Sequence, residues 1–161
     1  MTEKPSPKIT MYTDGSSLGN PGRGGDGTLL LYGNYRKELS AGFRLTTNNR
    51  MELMAVIAGL EALKHNNADV TIYTDSRYVV DSVEKGWLLN WIRIRFKGKK
   101  NSDLWMRFYE VYQIHSVKFV WVKGHAAIPG NERCDQLAVA AANGSDLLDD
   151  DGFLKDNSML N

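Results

Sequence analysis

The sequence predicts one α/β domain built on a mixed sheet of five strands. Strand-like segments with alternating apolar residues recur along the chain, and the later ones are separated by segments with helical spacing. The first three strands have short connections, which favour antiparallel pairing. The fourth and fifth strands follow helical crossovers and should run parallel to the first. A sheet of this kind gathers strand ends and helix starts along one rim.

The elements follow from local patterns. We expect strands at residues 8–14, 28–35, 36–45, 69–75 and 117–123. We expect helices at residues 49–64, 76–84, 103–113 and 131–144. Residues 46–49 offer several N-cap side chains for the first helix, and Gly33-Asn34 is a turn signal between the second and third strands. The glycine-rich segment 19–27 should be a turn, because it lacks the Gly-Lys-Ser/Thr ending of a phosphate-binding loop.

The composition is that of a globular protein, with 161 residues of which 42% are hydrophobic and 24% are charged. We expect no membrane span, since no apolar run is long enough, and no signal peptide. Cys134 is the single cysteine, which excludes internal disulfides and favours a cytoplasmic location. We expect a monomer with a flexible tail at residues 1–7, one domain at residues 8–145 and an acidic, solvated tail at residues 146–161.

Four carboxylates are candidates for one site. Residues 10–14 and 71–75 are matching strands that each end in an aspartate, and parallel pairing would bring Asp14 and Asp75 to roughly 5 Å. Glu52 lies in a helix that is otherwise apolar or glycine from residue 51 to residue 60, and a buried carboxylate is costly without a partner. Asp135 lies near the start of the last helix. Like charges this close repel unless a proton or a cation lies between them.

Each aspartate alone could instead be a cap of a turn or a helix, and this interpretation stays open for the individual residues. Four acids together favour a metal site, because Mg²⁺ prefers oxygen ligands. Two such ions can stabilise both the attacking and the leaving oxygen of a phosphodiester. A Ser-His-Asp hydrolase is disfavoured, since the sequence has no Gly-x-Ser-x-Gly motif. The carboxylates therefore indicate phosphodiester cleavage.

Five motifs resemble type 1 ribonuclease H of the bacterial kind, in the order and spacing of that family. They are the segments at residues 13–16, 46–53, 74–76, 121–126 and 131–135. The resemblance implies the ribonuclease H-like fold and an endonuclease that cuts the RNA strand of RNA/DNA hybrids, leaving 5′-phosphate and 3′-hydroxyl ends. It also implies two Mg²⁺ ions, with Mn²⁺ as a substitute. A non-catalytic hybrid-binding module and another ribonuclease H-like nuclease remain alternatives.

The resemblance also implies roles for individual residues. The family's metal-binding catalytic carboxylates correspond to Asp14, Glu52, Asp75 and Asp135. His125 corresponds to a loop histidine that assists proton transfer or product release. Contacts to the hybrid are implied at Asn20, Asn48, Asn49 and Arg77, a phosphate pocket for the DNA strand at Thr47 and Asn101, and channel-lining aromatics at Trp87 and Trp91. For the two tryptophans, packing in the core remains an alternative.

The sequence departs from the family in its substrate-binding parts. Leu45 stands where the family often has an arginine in the phosphate pocket, and Arg77 replaces a frequent glutamine with a side chain that only donates hydrogen bonds. The basic, aromatic segment 91–100 is a candidate contact for the phosphate backbone but is shorter than in well-known bacterial members. We expect retained chemistry with looser or more salt-sensitive hybrid binding.

Overall fold

The computed structural model of the protein describes residues 6–124 and 126–158. Within these residues the strands are β1 (Lys8–Ser17), β2 (Gly22–Tyr32), β3 (Tyr35–Thr46), β4 (Asp69–Thr74), β5 (Ser116–Trp121) and β6 (Leu147–Leu148). The helices are α1 (Asn48–Glu61), α2 (Arg77–Glu84), α3 (Trp87–Arg93), α4 (Ser102–Tyr112), α5 (Pro129–Ala142) and α6 (Asp151–Ser158). None of these helices combines the length and apolar character that crossing a membrane requires.

The strands form one mixed sheet in the order β5-β4-β1-β2-β3-β6. As predicted, β1, β2 and β3 pair antiparallel, while β4 pairs parallel with β1 and β5 pairs parallel with β4. The predicted number of strands was wrong, because β6 adds a sixth strand parallel to β3. β6 has only two residues, which is too short for any periodic signal in the sequence.

Helix α1 is buried because the sheet covers one of its sides and α4 packs against it as well. Its N-cap is Thr47, whose hydroxyl oxygen accepts a hydrogen bond from the Arg50 backbone N–H at 3.3 Å. Leu53 and Ile57 of this helix share one core with residues of the sheet and of α4, which include Met11, Ile72, Trp105 and Phe108. An apolar environment on nearly all sides explains why the sequence of α1 carries few polar residues.

The glycine-rich segment was predicted as a turn, but most of it belongs to β2, which begins at Gly22. The glycines allow α5 to pack directly on the backbone of this strand. A Cβ atom at Gly27 would overlap the carbonyl group of Cys134 in α5. The strand therefore uses glycine for close approach rather than for turn formation.

The acidic segment near the C-terminus was predicted to be solvated, and this was wrong for Asp150. Asp150 is buried, and its carboxylate accepts hydrogen bonds from Arg50 and Thr46. Residues 147–148 and 151–158 form β6 and α6 on either side of it. The division of the chain into tails and a domain at residues 8–145 stays a prediction, and residues 1–5 lie outside the described part.

Asp26 is a buried acid in β2 that is 2% exposed. It lies on the face of the sheet that α1 covers, like Thr28, whose hydroxyl donates to the Ala55 carbonyl of α1. Burial raises the pKa of Asp26 to about 7, although the backbone N–H of Ala41 partly offsets this effect. Among the described residues, no cationic side chain forms an ion pair with Asp26.

The raised pKa makes stability depend on pH. Between the ordinary aspartate pKa and about 7, the folded protein holds a proton on Asp26 that the unfolded chain has released. Stability therefore falls as the pH rises through this range. We predict that Asp26→Asn increases the free energy of unfolding by roughly 3 kcal/mol at pH 8, where it removes a buried charge. Near pH 4, where the Asp26 carboxyl is already neutral in the folded protein, the substitution should change the free energy of unfolding little.

Urea unfolding at both pH values, in EDTA, measures this difference. Asp69→Asn is the matched control, because Asp69 is an exposed aspartate at the start of β4. A gain of equal size at both pH values would contradict the assignment of the titration to Asp26.

Candidate active site

The site begins at the ends of two parallel strands. β1 and β4 pair in a register that places Tyr12 opposite Tyr73, and the two rings stack with centroids 5.0 Å apart. Asp14 lies two residues beyond Tyr12 and Asp75 two residues beyond Tyr73. Because side chains two apart share a face of a strand, the register directs both carboxylates to the same rim. The structure thus brings together the two aspartates that the sequence pairs.

Glu52 reaches the same place from α1. A Cβ atom at Gly15 would overlap the backbone of Met51 and Glu52, so only glycine lets the helix approach β1 this closely. The Gly15 backbone N–H donates a hydrogen bond to Oε1 of Glu52. The close approach therefore fixes the Glu52 carboxylate beside Asp14, the neighbour of Gly15 in β1.

The three carboxylates form a cluster that fits a hard divalent cation. Asp14, Glu52 and Asp75 each offer an oxygen, and these oxygens all lie within 4.8 Å of one another. Burial, and then the charge of Asp75, raise the pKa of Asp14 to about 7. Burial, and then the charges of Asp14 and Asp75, raise the pKa of Glu52 well above its usual range. A cation would relieve this repulsion and favour the charged forms, which are the forms that bind Mg²⁺.

Asp135 joins the cluster from the second turn of α5. It is exposed, and it is among the groups that raise the pKa of Asp14. Asp14, Asp75 and Asp135 all line an open cleft of about 450 Å³. The fourth expected carboxylate therefore lies beside Asp14, within the same cleft.

His125 lies outside the described residues, so its predicted role stays a prediction. Gly124 and Ala126, on either side of it in the chain, both line the cleft. The connection between β5 and α5 thus borders the carboxylates.

Asn131 is a residue of the site that the sequence analysis missed. It lies in the first turns of α5 and lines the cleft, and its Nδ2 donates to the Tyr73 carbonyl oxygen at 3.1 Å. This bond ties α5 to β4 two residues before Asp75. Its buried Oδ1 has no hydrogen-bond partner among the described residues. Its position four residues before Asp135 is one helical turn away, which is the signal that could have identified it.

The expected hybrid-contacting asparagines gather at the start of α1. Asn48 and Asn49 are exposed there. Asn20, from the connection between β1 and β2, accepts a hydrogen bond from the Asn48 backbone N–H at 3.2 Å. The two segments therefore form one polar surface.

The expected phosphate pocket has two parts that both contact Arg50. Thr47 accepts from the Arg50 backbone N–H, and the Asn101 side chain accepts from the Arg50 guanidinium at 3.3 Å. Leu45, the departure from the family at this pocket, is 40% exposed. Thr47 and Asn101 are both half-buried, so each remains accessible to a ligand.

Arg77 is exposed and lies against Trp121. Its guanidinium carbon is 3.8 Å from the centroid of the indole ring. The indole Nε1 of Trp121 donates to the backbone carbonyl of Asp75 at 3.1 Å. Arg77 is therefore held against the tryptophan that bonds to the backbone of Asp75.

The two expected channel tryptophans differ in their surroundings. Trp91 is half-buried against the core, with its ring centroid 5.9 Å from that of Trp105. Trp87 is 43% exposed, and its ring centroid is 6.5 Å from that of Trp91. Lys99 from the basic segment lies 5.8 Å from the Trp91 ring centroid. The core-packing alternative therefore describes Trp91 better than Trp87, and DNA binding by either one stays a prediction.

Both the sequence and the fold match known proteins. The sequence profile of the RNase H family matches residues 6–143. The chain is 59% identical over 140 residues to ribonuclease H of Desulforamulus reducens, covering 84% of this chain and 87% of that protein. It is 53% identical over 158 residues to ribonuclease H of Rippkaea orientalis, covering 95% of this chain and 96% of that protein.

A solved structure agrees with these relatives. The crystal structure of LC9-RNase H1, a type 1 RNase H with the type 2 active-site motif, is 34% identical to this chain with a TM-score of 0.80. The match covers 96% of this chain and 82% of that one. It confirms the ribonuclease H-like fold that the motifs implied. The chain belongs to the RNase H family.

Proposed function

We propose that the protein is an endonuclease that hydrolyses the RNA strand of RNA/DNA hybrids, with Asp14, Glu52, Asp75 and Asp135 as the ligands of two divalent metal ions. The observation that carries this proposal is the cluster of three carboxylate oxygens within 4.8 Å of one another. Repulsion this strong has a chemical use at a metal site and none in holding the fold together. Membership of the RNase H family supplies the substrate class.

The reaction is hydrolysis of a phosphodiester. The oxygen of a water molecule attacks the phosphorus, the bond from phosphorus to the 3′ oxygen breaks, and that oxygen takes up a proton. When bound, two divalent cations would lower the pKa of the attacking water and offset the charge on the departing oxygen. The four carboxylates hold the cations, and Asn131 holds α5, which carries Asp135, against β4.

His125 is proposed to move a proton or to assist release of the product. A histidine suits this role because its ordinary pKa lies near neutrality. His125→Ala should lower kcat and leave the affinity for the hybrid unchanged. An unchanged kcat would exclude the role.

The remaining residues are proposed to bind the hybrid. Asn20, Asn48 and Asn49 meet at the start of α1, and Arg77 begins α2. Their amides and guanidinium would contact the 2′-hydroxyls and base edges of the RNA strand. Thr47 and Asn101 would take a phosphate of the DNA strand, and Trp87 and Trp91 would line its path. Mg²⁺ is the proposed ion, with Mn²⁺ able to replace it, in a monomeric cytoplasmic enzyme.

The proposal predicts cleavage that is specific for strand and metal. The protein should cut only the RNA strand of an end-labelled hybrid in Mg²⁺, and neither an RNA/RNA nor a DNA/DNA duplex. EDTA should abolish cutting. Asp75→Asn should lower the rate more than about 100-fold, because losing a ligand costs more than losing an outer-shell group.

Asp69→Asn is the control for this variant, because it removes an exposed carboxylate from the other end of the same strand. It should cut at the normal rate. If the unmodified protein binds the hybrid tightly but does not cut it, the protein is a hybrid-binding module and not a nuclease. Cutting that persists in Asp75→Asn or in EDTA would contradict the metal site.

The raised pKa of Asp14 predicts that metal binding depends on pH. Below about pH 7 the cation must displace a proton from the cluster. Below pH 7, each proton that the metal displaces should therefore make the apparent Kd for Mg²⁺ fall by up to about ten-fold when the pH rises by one unit. Calorimetry at pH 6 and pH 8, in buffers with different ionisation enthalpies, measures both the Kd and the protons released.

A Kd that is the same at both pH values, without proton release, would show that the cluster is fully ionised before the metal binds. Asp69→Asn should give the same pH dependence as the unmodified protein.

A further inference from the structure

Arg50 is a buried cation at the centre of a network that joins three parts of the chain. Its side chain is 1% exposed. All five of its N–H groups donate: two bonds go to Asp103 at 2.7 and 2.8 Å, two go to Asp150 at 2.7 Å, and one goes to Oδ1 of Asn101 at 3.3 Å. Because the guanidinium is a rigid, planar fork, its orientation is fixed once both carboxylates are in place.

The two carboxylates come from different elements. Asp103 lies in the first turn of α4, and Asp150 immediately precedes α6. Burial raises the pKa of Asp103, but the hydrogen bonds and charge of Arg50, together with the backbone N–H groups of Asp103 and Leu104, outweigh burial and hold the pKa below its usual range. The opposing charges therefore satisfy the buried cation, as a buried ion requires.

Asp150 also reaches the N-terminus of α1 directly. Its Oδ2 accepts from the Thr46 hydroxyl at 2.6 Å, and Thr46 is the residue before Thr47. The Thr47 hydroxyl oxygen accepts from the backbone N–H of Arg50. Thr47 thus follows one residue that Asp150 holds and accepts a hydrogen bond from another. Its own hydroxyl proton can be donated to a ligand.

Asn101 is held from both ends of its amide. Its Oδ1 accepts from Arg50, while its Nδ2 donates to the Tyr78 hydroxyl at 3.0 Å. The Tyr78 hydroxyl also accepts from Trp105 Nε1 at 2.8 Å. The backbone of Asn101 is in the left-handed region, with φ of 65°, so its side chain leaves the chain in a direction that regular helix would not give. These bonds use one of its two amide N–H groups.

We propose that Asp150, acting through Arg50 and Thr46, is a positioning residue for the binding of a DNA-strand phosphate by Thr47 and Asn101. The inference rests on the proposed function. It gives the C-terminal segment a part in substrate binding, although this segment lies beyond residues 6–143, the range that the family profile matches. The C-terminal segment thereby fixes the separation of two donors that immediately precede α1 and α4.

The test compares Asp150→Asn with Asp149→Asn. Asp149 is the adjacent residue and loses the same charge, but it forms an exposed ion pair with Arg44 at 2.8 Å. The substrates are RNA/DNA hybrids that carry a single methylphosphonate, moved along the DNA strand one position at a time. This group removes the charge and one acceptor oxygen of one phosphate. Circular dichroism defines a temperature at which every variant is folded.

In the unmodified protein, one methylphosphonate position should raise KM roughly five-fold, the loss expected for one hydrogen bond of ordinary strength. Asn101→Ala should abolish the effect of that position. Asp150→Asn should raise KM for the unmodified hybrid by a similar factor, remove the methylphosphonate effect and leave kcat unchanged. Asp149→Asn should behave as the unmodified protein.

An Asp150→Asn protein that unfolds at a lower temperature but keeps its KM and its methylphosphonate effect would overturn the inference, because Asp150 would then act on stability alone. Should Asp150→Asn fail to fold, Thr46→Val tests the same point, since it removes the hydrogen bond by which Asp150 holds the residue before Thr47. Loss of the methylphosphonate effect in Thr46→Val would support positioning by Asp150, and an intact effect would contradict it. A protein that neither cuts nor binds the unmodified hybrid would instead refute the proposed function.

Discussion

The structure depends on the close approach of α1 to the end of β1. Gly15 has no side chain, so the backbone of Met51 and Glu52 can lie directly on it. This approach brings Glu52 to the two strand-end aspartates, where burial and mutual repulsion raise the pKa of Asp14 and of Glu52. The fold thus holds three acids together at a cost that a divalent cation would remove. The repulsion among these acids lowers the stability of the fold at the place where the reaction needs negative charge.

A second set of charges works in the opposite sense. Around Arg50 the charges are complementary, every N–H of the guanidinium has a partner, and the bonds join α1, α4 and the segment before α6. The network fixes the start of α1, the helix that also carries Glu52. The ion pairs of Arg50 therefore help to hold α1 in the position that brings Glu52 to the two aspartates.

Much of the sheet could be predicted because its signals are local. Matching strands that end in Asp14 and Asp75 specified the rim, and an acid in an apolar helix identified Glu52. What could not be predicted depends on contacts between residues far apart in the chain. The glycines of β2 form a strand because α5 packs on them. Asp150 is buried because Arg50, 100 residues earlier, needs a second carboxylate. Such partners leave no periodic pattern in the sequence.

The most direct measurement is thermal unfolding of the unmodified protein, Asp14→Asn and Asp69→Asn at pH 8, each in EDTA and in Mg²⁺. If the carboxylate cluster is a strained metal site, Asp14→Asn raises the Tm in EDTA because it removes one repelling charge. Mg²⁺ then stabilises the unmodified protein and Asp69→Asn far more than Asp14→Asn. A lower Tm for Asp14→Asn in EDTA, together with undiminished stabilisation by Mg²⁺, would contradict the central role given to this cluster.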